Sequence, residues 1–290
     1  MNFQDFALAH GLDLPALYPA DRVQRCATVD KPRSKNGAFY WDGFKGWVSD
    51  WAQGGELHWF DNPEAKAWTA ADRKAWAQRK QAAMQRQSEG WARAATQAGL
   101  MLQDTELKNH DYLAFKGLHD SIGLVTEDNA LLVPMRHLES NALQGLQIIR
   151  WLPDERRYEK KMLPGMRAKG CVLRLGARNA QDTFLCEGYA TGLSIDLAIH
   201  MLRLNAAVLI CFSDTNMVHV AGITTGRRFV FADNDESFAG QRAAEKTGLP
   251  WCMSSTLGND ANDDHKQFGL MHIAQMLVNV RIQFGGNTHG

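Results

Sequence analysis

Two short acidic motifs stand where catalytic carboxylates would be useful. Phe184-Leu185-Cys186-Glu187-Gly188 and Phe229-Val230-Phe231-Ala232-Asp233-Asn234-Asp235 are each an apolar run that stops at carboxylates. A strand buried on both faces of a parallel sheet reads this way, as a continuous hydrophobic stretch between polar ends. In open α/β sheets, ligands bind at the C-terminal edge, where the loops leaving neighbouring strands converge. If the two strands are neighbours, Glu187, Asp233 and Asp235 face one crevice. Carboxylates held that close repel unless a cation sits among them, and hard oxygen donors call for Mg²⁺ or Mn²⁺. Taken singly, each motif is also ordinary: Glu-Gly can be a strand end with its turn, and Asp-Asn-Asp a helix cap. The specificity lies in the pair.

The elements around the motifs are those needed to position them. Tyr189 to Leu202 carries Leu193, Ile195, Leu197, Ala198 and Met201 at helical spacing. Ala206 to Phe212 is a continuous apolar run ending in Ser213-Asp214-Thr215-Asn216. Arg227 to Phe231 leads into the second acidic motif, followed by Gly240 and an alanine-rich helical run, and Gly248 to Met253 reads as another strand. Strand and helix alternating at this spacing predict parallel βαβ units over 182–281. Gly258-Asn259-Asp260-Ala261-Asn262-Asp263-Asp264 is an acidic loop, either solvated or close to the metal. The final helix is expected from Gln267 to Arg281, with a flexible glycine-rich tail at 282–290.

Upstream, 104–181 reads as a mixed α/β subdomain. Strands at Ala130–Arg136 and Leu146–Arg150 flank a turn at Ser140-Asn141-Ala142, and Tyr158–Gly165 leads into Lys169-Gly170-Cys171-Val172-Leu173-Arg174. Residues 61–103 are mostly strong helix formers, starting at Asn62-Pro63 and broken only near Gly90. Lys66, Arg73, Lys74, Arg79, Lys80, Arg86 and Arg93 outnumber Glu64, Asp72 and Glu89 there, which suits a solvated face or a phosphate-tracking one. Residues 1–60 contain Gly37 to Trp51, aromatic strands separated by Gly and Asp turns, preceded by Arg22, Arg25, Lys31, Arg33 and Lys35. That pattern gives a small β module whose aromatics either form its core or stack single-stranded nucleic acid.

Composition narrows the class. Formal net charge is zero, so affinity for nucleic acid has to come from a local basic face. Cys26, Cys171, Cys186, Cys211 and Cys252 are scattered, three of them in apolar strand-like runs, as expected of core thiols in a reducing cytoplasm. No CxxC or Cys/His spacing suggests zinc, and no run approaches membrane-spanning length. No GxxxxGK[ST] occurs, so no fused helicase motor is expected.

The Glu-Gly after one strand and Asp-x-Asp after another resemble the signature of the Toprim (topoisomerase–primase) fold. The upstream segments resemble those of Toprim-domain DNA primases, the primase-like proteins of phages and conjugative plasmids. Gly46-Trp47, Asp50-Trp51, Gly54 and Trp59 match their N-terminal module, and His110-Asp111-Tyr112-Leu113-Ala114-Phe115-Lys116-Gly117 is similar to their Pro-Tyr-Leu … Lys-Gly element, with Asp111 in place of the proline. Asn216 stands where the family has Gly-Asn, with Thr215 in the glycine's place, and Asp260 lies in a counterpart of its Asp-x-Asn-Asp.

The resemblance implies an α/β Toprim domain preceded by a basic subdomain, a helical connector and a β module, without a zinc ribbon. It implies synthesis of short RNA primers from ribonucleoside triphosphates on a single-stranded DNA template, with Mg²⁺ or Mn²⁺ and beside a separate replicative helicase. Asp233 and Asp235 would bind metal, with Asp260 a further candidate. Glu187 would complete the metal site or take the proton from the 3′-hydroxyl. Lys116, Arg136, Lys160, Lys161, Lys169 and Asn216 would contact nucleotide or template. A metal-dependent Toprim nuclease and an idle DNA-binding adaptor are the alternatives.

Overall fold

The computed structural model describes residues 1–51, 55–62 and 69–286. Gly54 of the aromatic pattern, the helix start at Pro63 with Glu64 and Lys66, and the last four residues lie outside them. The chain forms two compact units, Met1–Ser88 and Glu89–Gly290. Among the described residues no helix is long and apolar enough to cross a membrane.

The first unit opens with α1 (Phe3–Ala9), an element the sequence reading passed over although Asn2 and Asp5 form a capping box. The antiparallel strands β1 (Leu12–Asp13), β2 (Ala20–Thr28), β3 (Gly37–Trp41), β4 (Gly46–Asp50) and β5 (His58–Phe60) follow in simple order. Asp42 makes the β3–β4 turn by accepting from the amides of Phe44 at 2.8 Å and Lys45 at 2.7 Å. Phe3, Phe39, Val48 and Phe60 form the core, and Trp41 stacks on Phe3 at 4.6 Å. The aromatics are therefore divided: Phe3, Phe39 and Phe60 are buried and Trp41 partly so, whereas Trp51 and Trp59 are exposed.

Helix α2 (Ala70–Gln103) is continuous through Gly90, contrary to the expected break. One glycine costs about 1 kcal/mol relative to alanine, and the Ala-, Arg- and Gln-rich flanks outweigh it. In the second unit Ala94 and Ala98, one turn apart, pack on Leu132, Leu146 and Leu163.

The second unit is built on one ten-stranded sheet. It comprises β6 (Thr105–Lys108), β7 (Gly123–Thr126), β8 (Leu131–His137), β9 (Leu143–Leu152), β10 (Arg157–Met162), β11 (Cys171–Leu175), β12 (Asp182–Cys186), β13 (Ala206–Ile210), β14 (Arg227–Ala232) and β15 (Trp251–Met253). The main path runs β10-β9-β8-β11-β13-β12-β14-β15, with β6 and β7 attached beside β8. Pairing is parallel across β13-β12-β14-β15, as the spacing predicts. β11 is antiparallel to β13 on one side and to β8 on the other. The basic segment expected as a separate subdomain thus continues the parallel-stranded sheet through β11.

Helices α4 (Tyr189–Met201), α5 (Asp214–Ile223) and α6 (Ala239–Thr247) follow the parallel strands in turn. Phe184, Phe229 and Phe231 pack with Ile195, Ile273 and Leu277 in one core cluster, and Leu185, Leu209 and Val230 with Met217 and Val220 in another. The strands are buried on both sides, which explains their unbroken apolar runs. Helix α3 (Asp111–Phe115), capped by His110, lies beside α7 (Ala261–Phe268): Asn262 Nδ2 donates to the Lys116 carbonyl at 2.8 Å. The single last helix expected from Gln267 to Arg281 is instead α7 and α8 (Leu270–Gly286), parted at Gly269 with φ 84°. A glycine at positive φ with extended ψ ends α7 there, and α8 runs on into the segment expected to be a flexible tail.

Candidate active site

Three parallel strands deliver carboxylates to one edge. β12 ends at Cys186 and hands on to Glu187; Gly188 then opens α4. The Cys211 amide donates to the Cys186 carbonyl at 2.8 Å and the Phe212 amide to the Glu187 carbonyl at 2.9 Å, extending the β12–β13 pairing past both strands. At that point Phe212 takes φ 65°, and Ser213 caps α5, so Asp214 falls in its first turn. A buried aromatic in the left-handed region is uncommon and costs energy, and such residues gather at functional sites. β14 ends at Ala232 and hands on to Asp233. Gly240 in α6 passes so close that a Cβ there would sit 2.3 Å from the Asp233 carbonyl oxygen.

The electrostatics tie these side chains together. Glu187 is pushed up to about 8, first by burial, then by Asp214 through charge and a hydrogen bond, then by Asp233 and Asp235. Asp233 is pushed up to about 7 by burial and by Asp260, Asp214 and Asp235, with Lys160 acting in the opposite direction. Its Oδ1 is buried and accepts no hydrogen bond among the described residues. A buried acceptor without a partner is rare and calls for an explanation. Here the explanation is a donor set of carboxylate oxygens that fits a hard divalent cation, whose charge would relieve each of these penalties. Glu187, Asp214 and Asp233 are the residues suited to hold it.

Asp235 differs. Its carboxylate accepts from the amides of Ser237 at 2.7 Å, Gly240 at 3.2 Å and Ala239 at 3.3 Å, and from the Ser237 hydroxyl. Burial alone would raise it, but these hydrogen bonds outweigh burial and hold it below the usual range. It organises the turn into α6 while adding charge to the crevice. Glu187, Asp214 and Asp233 are coupled by charge, but as placed no three His, Cys, Asp or Glu side chains among the described residues form a group that could hold a metal ion, so these acids would have to draw together to bind one. Asp260 caps α7 by accepting from Asn262 and Asp263, and its charge still reaches Asp233.

The expected cations separate into different settings. Lys160 on β10 lowers the Asp233 pKa by its charge, and its ammonium lies 5.5 Å from the Tyr112 ring centre. Lys161 pairs with Glu159 at 2.9 Å, and alternation along a strand puts it on the other face from Lys160. Lys116 pairs with Asp263 at 3.4 Å, and Arg136 donates to the Asn141 carbonyl in its own hairpin at 3.1 Å. Lys169 lies near His219, apart from the carboxylates. Asn216 is buried: its Nδ2 donates to the carbonyls of Cys171 and Cys211, and its Oδ1 accepts from the Gly170 amide, each at 2.8 Å. Both amide hydrogens are spent fastening β11 to β13, which leaves none for a nucleotide.

Sequence reasoning passed over Asp214. The signal was present, since Ala206–Phe212 is a third apolar run stopping at an acid, but Ser213-Asp214 also reads as a plain helix start.

Residues 182–270 match the family model of the Toprim domain, a span covering the parallel strands, α4 to α7 and the acids Glu187, Asp214, Asp233, Asp235 and Asp260. No curated protein matches the chain. The chain therefore carries a Toprim domain over residues 182–270, a domain that binds Mg²⁺ through acidic residues and occurs in enzymes acting on DNA.

Proposed function

We propose that the chain is a primase-type nucleotidyltransferase, joining ribonucleotides into short RNA primers on single-stranded DNA with Mg²⁺ or Mn²⁺. The observation that carries this reading is that the charge of Lys160, from the basic strand β10, acts on Asp233 within the half-buried group of Glu187, Asp214 and Asp233. An acid group suited to a cation, faced by a fixed positive side chain, is an arrangement for holding a polyphosphate. The resemblance of the upstream segments to phage and plasmid primases supports it further.

In the reaction, the primer 3′-oxygen attacks the α-phosphorus of the incoming nucleotide. A new P–O bond forms, the bond to the β-phosphate oxygen breaks, and pyrophosphate leaves. A bound divalent cation supplies charge neutralisation and a more acidic hydroxyl. Asp233 and Asp214 contribute negative ligands. Glu187, which burial and then Asp214 push up to about 8 in the absence of metal, either completes that ligand set or accepts the 3′-hydroxyl proton. Lys160 offers its ammonium to a phosphate oxygen. A separate replicative helicase that exposes the template is the partner this reading proposes.

The test is incubation with single-stranded DNA, labelled ribonucleotides and Mg²⁺ or Mn²⁺. Short RNA products are expected. Shortened DNA would establish a nuclease instead, and neither product would leave a DNA-binding adaptor.

A further inference from the structure

A second concentration of charge lies where β8, β11 and α5 meet, and the carboxylate chemistry makes no use of it. Gly170, just before β11, is held on both sides: its amide donates to Asn216 Oδ1 at 2.8 Å and its carbonyl accepts from the Leu138 amide at 2.9 Å. It is buried with φ 75°. A Cβ at this glycine would have as its nearest neighbours His219 Nε2 at 3.6 Å and His137 Nε2 and Cδ2, each at 3.7 Å. Two imidazole nitrogens from different elements thus converge on one point beside a fixed backbone. Burial pushes the His219 pKa down, and the charges of Lys169, Arg167 and His137, all of one sign, add to that shift.

The hydrogen bond to His137 favours donation from its other nitrogen. His137 Nδ1 accepts from the Ser140 amide at 3.5 Å and lies 3.3 Å from the Ser140 hydroxyl. With Nδ1 an acceptor, Nε2 carries the proton and presents an N–H to the shared point even when the ring is neutral. A transition metal would suit two imidazoles, but Lys169 and Arg167 beside them repel a cation. An oxyanion suits all four groups.

We propose that His137 and His219, with Lys169 and Arg167, form a second site that binds a phosphate group beside Gly170. The site lies more than one turn along α5 from Asp214. It takes either a phosphate of the single strand or the polyphosphate of a free nucleotide. It does not depend on whether the carboxylate crevice makes RNA.

The experiment follows the imidazole resonances of the full chain by NMR, without divalent metal. Pyrophosphate and a single-stranded oligothymidylate with a 5′-hydroxyl are titrated separately. The expected result is that one or both ligands shift the His137 and His219 signals and raise both titration midpoints, because a bound anion compensates the like charges. Binding should tighten as pH falls and the rings gain protons. His219→Phe, which keeps bulk but removes the donor, should weaken binding about ten-fold, the weight of one charged hydrogen bond. Response to pyrophosphate alone assigns the site to nucleotide, and response to the oligonucleotide alone assigns it to the strand. No shift with either ligand at millimolar concentration would overturn the proposal, as would unchanged affinity in a folded His219→Phe variant. Repeating the titrations with Asp233→Asn separates this site from the crevice, since the histidine response should survive that change even if the proposed synthesis is wrong.

Discussion

Asp233→Asn sets stability and catalysis against each other, and both sides can be worked from the structure. The carboxyl titrates at about 7 against an ordinary value of 3.8. At about 1.4 kcal/mol per unit, keeping it ionised in the folded protein costs at most about 4 kcal/mol. The side chain still reaches water along one edge, so a realised cost of roughly 2–3 kcal/mol is expected. The folded state holds this proton more tightly than the unfolded state does. Stability of the metal-free parent therefore falls as pH rises from about 4 to about 7, and the penalty is complete above that. Asparagine carries no charge at any of these values. The variant should melt at or near the parent's temperature at about pH 4, and higher than the parent at about pH 8, by roughly 5–10 °C for a unit of this size. Added Mg²⁺ should raise the parent's melting temperature more than the variant's, because one charged ligand is gone. Primer synthesis should drop on the order of 100-fold or more. Melting curves across pH, with and without Mg²⁺, are read beside the primer assay. A difference in melting temperature that does not vary with pH would refute the buried-carboxylate reasoning, and synthesis at the parent's rate would refute the catalytic assignment.

Lys160→Ala should raise the Asp233 midpoint further and impair synthesis, whereas Lys161→Ala should leave both unchanged; carboxyl NMR and the primer assay compare the two, and equal effects would remove β10 from the site. Asp182, buried at the start of β12, contacts Arg281 Nε at 2.7 Å and Arg227 Nε at 3.1 Å, the latter as an ion contact without hydrogen-bond geometry. Asp182→Ala should cost about 3 kcal/mol in urea unfolding, because it strips the partner from partly buried guanidinium groups; a loss below about 1 kcal/mol would contradict that. Gly240→Ala places a methyl against the Asp233 carbonyl, so it should destabilise by about 1–3 kcal/mol and reduce metal-dependent stabilisation, both visible by calorimetry.

The parallel strands and their acidic ends were legible because burial on both faces writes itself as an unbroken apolar run, a purely local signal. Glu187 and Asp233 were found this way. Asp214 was not, since its meaning comes from the hydrogen bond to Glu187, twenty-seven positions away in the chain. The roles of the basic residues were obscured for the same reason. Nothing local says that the charge of Lys160 reaches Asp233 while its neighbour Lys161 pairs with Glu159, or that Asn216 is consumed by three backbone groups. Register and long-range pairing decide these matters. The fusion of β8 to β13 through β11 was hidden too, because an antiparallel strand inserted at the edge of a parallel set has no composition of its own.

That insertion has a mechanical consequence. Many enzymes that handle polyphosphates close two lobes over the substrate, with a hinge between the basic lobe and the acidic one. In this unit the strand bearing Lys160 and the strands bearing the acids belong to one hydrogen-bonded ladder, β10-β9-β8-β11-β13-β12-β14. A hinge across it would have to rupture interstrand bonds in every turnover. The spacing between cation and carboxylates is therefore set at folding, and any closure over a substrate falls to loops and side chains at the rim.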